Sequence, residues 1–182
     1  MKIIPRLVAI LEKIVAGNKT LVGLYANFYS DVIENEIKLA AISAKDRVLN
    51  IGCGGIPFSA LLIAKLSGAR VWAVDCDMKA VQVARCCVAA QKLDHLITIV
   101  HLNGVDPVPF DFDVALVALQ ARPKKAILDN LLQTGNSNCR LIFRRPRREM
   151  AHQYDLLPPK PVYSDIVGQD KTTFDSSVLY AS

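Results

Sequence analysis

The chain has 182 residues, a net charge of +5, 52% hydrophobic residues and five cysteines. That length suits one domain with a sizeable core, and the hydrophobic content excludes a disordered chain. Its apolar runs are broken by charge well before the roughly 18–20 residues of a membrane span, and the lack of any C-x-x-C spacing argues against a disulfide framework or a zinc site.

Met1 to Ala16 is apolar at helical spacing but carries Arg6, Glu12 and Lys13. It suits an amphipathic packing helix better than a signal peptide, so cytoplasm is the default location. Helices are predicted over 3–15 and 20–42, with Asn18 and Thr20 as caps between them. Strand and helix then alternate: strand 47–51, helix 57–67, strand 71–75, helix 78–91, strand 97–101, strand 113–118, helix 122–134, strand 139–144. A basic, helix-compatible segment follows, then three prolines at 158, 159 and 161. Two β-rich runs, 162–167 and 176–180, close the chain. Strand 113–118 lacks alternation, as expected of a parallel strand buried on both faces. The βαβα pattern predicts a doubly wound parallel sheet, and the short connection between the last two runs predicts an antiparallel hairpin. The expected organisation is a helical extension over 1–42 and a main domain over 43–182.

The chemistry concentrates between residues 47 and 77. Arg47-Val-Leu-Asn-Ile-Gly-Cys-Gly-Gly-Ile-Pro-Phe reads as a buried strand that breaks into glycines and opens a helix. Val71-Trp-Ala-Val-Asp-Cys-Asp is a second apolar strand ending on an acid. Asp75 follows Gly54 by about 20 residues, the spacing between a nucleotide-binding turn and the carboxylate that holds a ribose. Proline at 57 occupies the place where a dinucleotide fingerprint has its third glycine, which weakens a nicotinamide reading. The stretch Asn103-Gly104-Val105-Asp106 resembles the segment that brackets adenine in domains that bind S-adenosylmethionine (SAM). With the closing hairpin, the chain resembles the Rossmann-like class I SAM fold: α/β, a mostly parallel seven-stranded sheet with a C-terminal antiparallel hairpin, preceded by helices. That resemblance implies SAM as group donor, held by Asn50, Gly52, Cys53, Gly54, Pro57, Asp75, Cys76, Gly104, Val105 and Ala118. Many such domains carry an acid where this chain has Asn50.

A narrower likeness exists. The turn's continuation Ile56-Pro57-Phe58-Ser59 is similar to the G-x-G-P-L-P-F/L-[ST] of nicotianamine synthase and the bacterial metallophore synthases. Phe28-Tyr29-Ser30 followed by Ile33-Glu34-Asn35-Glu36 resembles that family's Y-Y-S and L-E-x-E. Leu141-Ile-Phe-Arg144 with Tyr154 resembles its L-L-x-R…Y. The resemblance implies metallophore biosynthesis: transfer of the 3-amino-3-carboxypropyl group of SAM to the amine of a small amino-acid-like acceptor. Methyl transfer to a small molecule is the alternative.

Tyr29, Glu34 and Glu36 are the catalytic candidates. At a 3.6-residue period Val22, Tyr25, Tyr29, Val32, Ile33 and Ala40 form an apolar stripe, and Glu36 is the carboxylate on that side. A buried carboxylate either pairs with a cation or works; left alone, burial raises its pKa and suits it to take a proton from an amine. Glu34 is the backup, and Tyr29 is either core or ligand-facing. Arg144, at the carboxyl end of a strand, and Tyr154 are the substrate-binding candidates, and Arg144 is alternatively a salt-bridged rim residue. Arg140, Arg144, Arg145, Arg147 and Arg148 form the one dense basic stretch. Nucleic acid is disfavoured as a partner because Ala118-Leu-Gln-Ala stands where a D/N-P-P-[YF] motif would follow the fourth strand. No metal is expected, since His95, His101 and His152 have no ligand spacing. So short a chain leaves room for a homodimer that covers its pocket.

Overall fold

The structure is a computed structural model that describes residues 19–181, with side chains described from residue 29 onward. The helix expected over 3–15 lies outside the described residues. Four helices and seven strands follow: α1 (Lys19–Leu39), β1 (Arg47–Ile51), α2 (Phe58–Ser67), β2 (Arg70–Asp75), α3 (Met78–Ala90), β3 (Ile97–His101), β4 (Val114–Val117), α4 (Lys124–Thr134), β5 (Arg140–Pro146), β6 (Asp165–Gly168) and β7 (Phe174–Ala181).

All strands join one sheet in the order β3-β2-β1-β4-β5-β7-β6. The strands from β3 to β5 in that order are parallel, while β7 runs antiparallel to both β5 and β6. Every residue of β4 is buried, as the unbroken apolar run Val-Ala-Leu-Val requires of a central strand. One apolar layer packs α1, α2 and α3 on the sheet. A second packs Ile127, Leu128 and Leu131 of α4 on the opposite face. In α2, Ala60 to Ala64 are all buried, because the helix is covered by the sheet on one side and by α1 on the other. Gly68 ends it in the left-handed region (φ +73°), its N–H donating to the Ala64 carbonyl, a conformation that favours glycine. Asp77 caps α3 by accepting from the Lys79 N–H at 2.9 Å.

Most limits shift by one or two residues, and three segments differ further from the sequence expectation. α1 stops at Leu39 instead of 42, with Ala41 at φ +47° turning the chain toward β1. The basic stretch after β5 forms a single 3-10 turn, Arg148–Met150. β6 starts at Asp165, leaving Val162 and Tyr163 exposed beyond Pro161, whose missing N–H cannot join a ladder. No helix among the described residues is long and apolar enough to cross a membrane.

Sheet order reverses between β1 and β4: the chain winds outward to β3, then returns to the other side of β1. In open α/β sheets ligands bind beyond the carboxyl ends of the strands at that switch point. Here it is bounded by the loops after β1 and β4.

Candidate active site

The turn after β1 is built from both sides. The Gly52 and Cys53 N–H groups donate to the Val74 carbonyl at 2.9 and 3.1 Å. The Gly54 N–H donates to Asp75 Oδ2 at 2.8 Å, and the Asp77 N–H to Asp75 Oδ1 at 2.9 Å. Asp75 thus ties the glycine turn to the start of α3, and each of its oxygens keeps a further lone pair. Gly52 (φ +77°) and Gly54 (φ +65°) need the left-handed region. A Cβ on Gly52 would stand 3.3 Å from the methyls of Ala118 and Ala121, so the loop after β4 closes on this turn.

Asn50, 1% exposed, donates from Nδ2 to the Leu116 carbonyl at 3.2 Å, while its Oδ1 has no hydrogen-bond partner. A buried acceptor so placed, two residues before the first glycine, is matched to a donor from a ligand or a water. Gly104 is set by a close approach: a Cβ there would lie 2.7 Å from Ile51 Cγ2. Asn130 holds its carbonyl at 3.0 Å, and Val105 packs beside it on the α4 layer. Cys76 is exposed, its carbonyl facing His101 Nε2 at 3.0 Å. Pro57 flanks α2 instead of opening it, and its carbonyl accepts from Leu61.

Glu36 and Arg144 meet. Glu36 is 0% and Arg144 6% exposed. Arg144 donates from Nε to Glu36 Oε1 at 2.8 Å and from Nη2 to Oε2 at 2.9 Å, a bidentate fork. Ser177 Oγ donates to the same Oε1 at 2.7 Å, and Arg144 Nη2 also reaches Ser59 Oγ at 3.0 Å. Burial works to lower the Arg144 pKa, but the Glu36 charge and its hydrogen bonds outweigh that and raise it above the usual arginine value. Of the alternatives open in the sequence, the structure shows the paired one for both residues: the carboxylate of Glu36 has a cation partner, and that partner is Arg144. Glu34 lies apart from this pair. It is exposed and accepts from Ser30 Oγ at 3.0 Å, because two residues on a helix lie about 200° apart around the axis.

Tyr29 and Tyr154, distant in sequence, pack against one cluster formed by Val32, Leu119 and Phe174. Phe174 lies under the Arg144 guanidinium at 5.6 Å, and Lys171 Nζ stands 5.7 Å from the Tyr29 ring. The glycine turn and this aromatic cluster therefore share the carboxyl edge of the sheet, separated by the loop at Ala118 to Ala121. Ser59, Ser177 and Lys124 went unseen in the sequence. Ser59 sits in the quoted Ile-Pro-Phe-Ser motif and could have been singled out, whereas Ser177 carries no local signal. Among the described residues no group of three or more His, Cys, Asp or Glu is arranged to hold a metal ion.

Residues 28–130 match the family model described as Methyltransferase small domain. The chain is 29% identical over 121 residues to L-histidine 2-aminobutanoyltransferase of Yersinia pestis, covering 66% of this chain and 45% of that protein. It is 29% identical over 124 residues to the protein of that name from Pseudomonas aeruginosa, covering 67% and 47%. The chain thus spans about half the length of these curated relatives. Among solved structures, MtNAS in complex with MTA and tNA superposes with a TM-score of 0.80 at 20% identity, covering 94% of this chain and 68% of that one. An RNA methyltransferase from Salinibacter ruber with S-adenosyl-L-homocysteine gives 0.69 at 14% identity, covering 83% and 90%. At these identities the structural likeness shows the fold: the Rossmann-like SAM-binding architecture with its closing hairpin.

Proposed function

The chain belongs to the Methyltransferase small domain family, and on that footing we propose that it is a SAM-dependent transferase. It moves the 3-amino-3-carboxypropyl group to an amine of a small amino-acid-like acceptor. The observation that carries this reading is the placement of the Glu36–Arg144 pair and the cluster packed by Tyr29 and Tyr154 beside the glycine turn, on one edge of the sheet. The names of the curated relatives support the same group transfer.

The turn fits the donor. Gly52 and Gly54 hold the turn in the left-handed region without side chains, and Asp75 keeps lone pairs for ribose hydroxyls. The unpartnered Oδ1 of Asn50 suits an ammonium or the water bound to one. Gly104 and Val105 would border the adenine. The bound donor supplies a sulfonium leaving group. Attack by the acceptor nitrogen forms the C–N bond as the C–S bond breaks, and methylthioadenosine leaves with the electron pair. The proton lost from nitrogen passes to the Glu36 carboxylate, which the bidentate fork of Arg144 holds in place. Because that carboxylate is closed to solvent, binding of the acceptor must expose Oε2, which Arg144 Nη2 holds at 2.9 Å. The chain's own share is positioning and proton handling.

By-product identity tests this. With SAM and L-histidine or related amino acids as acceptors, methylthioadenosine is expected. S-adenosylhomocysteine would mean methyl transfer, the alternative that the family match itself keeps in view. Glu36→Gln is expected to abolish turnover with SAM binding retained; unchanged turnover would remove Glu36 from the mechanism.

A further inference from the structure

A lysine at the start of a helix ordinarily reaches into water. Lys124, the first residue of α4, is 1% exposed. Its side chain turns back beneath the loop that follows β4. Nζ donates to the carbonyls of Leu119 at 2.7 Å, Ala121 at 3.2 Å and Ala118 at 3.3 Å. An ammonium has three N–H bonds, and each is matched. Taking such a group out of water is costly unless every donor finds an acceptor, and a serine or asparagine could brace a turn without that cost.

The braced loop has two working faces. Ala118 and Ala121 close on Gly52, and Leu119 packs with Val32 and Phe174 in the cluster that carries Tyr29 and Tyr154. The Lys124 backbone N–H reaches Asp155 Oδ2 at 3.3 Å, next to Tyr154. We propose that Lys124 is a positioning residue: by holding three carbonyls of the loop 118–121 it sets how closely Ala118 and Ala121 close on Gly52, and with it the fit of the donor's adenosyl end. This rests on the donor site described under Proposed function.

The charge state of Lys124 offers the readout. Burial lowers its pKa to about 8; Asp155, on the segment after β5, works against that, and Arg144 on β5 adds to it. Above that pH a neutral amine has two N–H bonds for three carbonyls, and one carbonyl of the loop loses its donor. Folding stability moves the other way. The folded pKa lies below the unfolded value of about 10.4, so the unfolded chain binds more protons and this group's contribution to stability rises with pH across that window. A merely structural lysine would therefore not weaken binding as pH rises.

The test is calorimetric titration of the full chain with methylthioadenosine, which lacks the amino-acid part of the donor and does not itself titrate in this range. Wild-type affinity is expected to fall several-fold as pH passes about 8. Lys124→Met should be about tenfold weaker at neutral pH, matching the loss of hydrogen bonds from a charged donor, and flat with pH. Equal affinity in variant and wild type, with a flat wild-type profile, would overturn the proposal. If that variant does not fold, Lys124→Gln takes its place in the same comparison with wild type. Wild-type protein that binds neither SAM nor methylthioadenosine at any pH would instead overturn the donor site on which the proposal rests.

Discussion

Glu36 and Arg144 illustrate what a local pattern can and cannot show. Helical period alone placed Glu36 on the buried side of α1, and burial follows. Its partner comes from β5, and the serine that completes the pair faces Arg144 in the β5–β7 register. No spacing within the chain announces such a contact, so the sequence leaves the partner of each residue open. Lys124 was missed for a related reason: a lysine in a predicted helix reads as solvated unless the turn beneath it is known. Breaking a buried ion pair from one side strands a charge and costs about 3–5 kcal/mol. Arg144→Met is therefore expected to lower unfolding free energy by that order in denaturant melts. A double variant with Glu36→Leu should recover most of the loss, whereas additive losses would show that the two side chains are not coupled.

Single elements were legible where one force dominates. The buried strands follow from unbroken apolar runs, and β1 (Arg47–Ile51) and β3 (Ile97–His101) match their predicted limits. Elements whose limits depend on prolines and tertiary cover, such as β6 and the stretch after β5, did not match. At the carboxyl end of β1, Gly52→Ala would place a side chain at φ +77° against two alanine methyls. It should cost about 1–2 kcal/mol from backbone strain alone and weaken SAM binding; an unperturbed affinity would remove this turn from the donor site. The amino end carries a different device. Asp113 accepts from the Arg47 backbone N–H at 2.8 Å and from its guanidinium. These bonds, against the opposing effect of burial, hold its carboxyl below the usual range. A carboxylate lowered in the folded state contributes stability above its unfolded pKa, about 3.9, which is lost as pH falls through the folded value. Asp113→Asn should thus be less stable at neutral pH and show a shallower acid-unfolding limb, and an unchanged limb would contradict the assignment.

Across the whole molecule, the basic stretch read from the sequence dissolves into separate jobs. Arg140 holds the end of α1 through the Ala40 carbonyl and pairs with Asp46. Arg144 pairs with Glu36, Arg145 with Asp175, and Arg147 donates to the Lys171 carbonyl. Alternation along β5 puts Arg140 and Arg144 on one face of the sheet and Arg145 on the other, and Arg147 lies beyond the strand. Fold class and the carboxyl edge of the sheet were readable because topology follows from element order and the switch point from topology. The Glu36–Arg144 pair and the cluster at Leu119 gather side chains from α1, β5 and the loop after β4, and that gathering exists only in three dimensions. The most direct test supplies SAM labelled with carbon-13 in the carboxyl of its amino-acid part, together with an amino-acid acceptor. The label is predicted to appear in the acceptor product, with unlabelled methylthioadenosine released. An acceptor that gains only a methyl group, with the label retained in S-adenosylhomocysteine, would contradict the account.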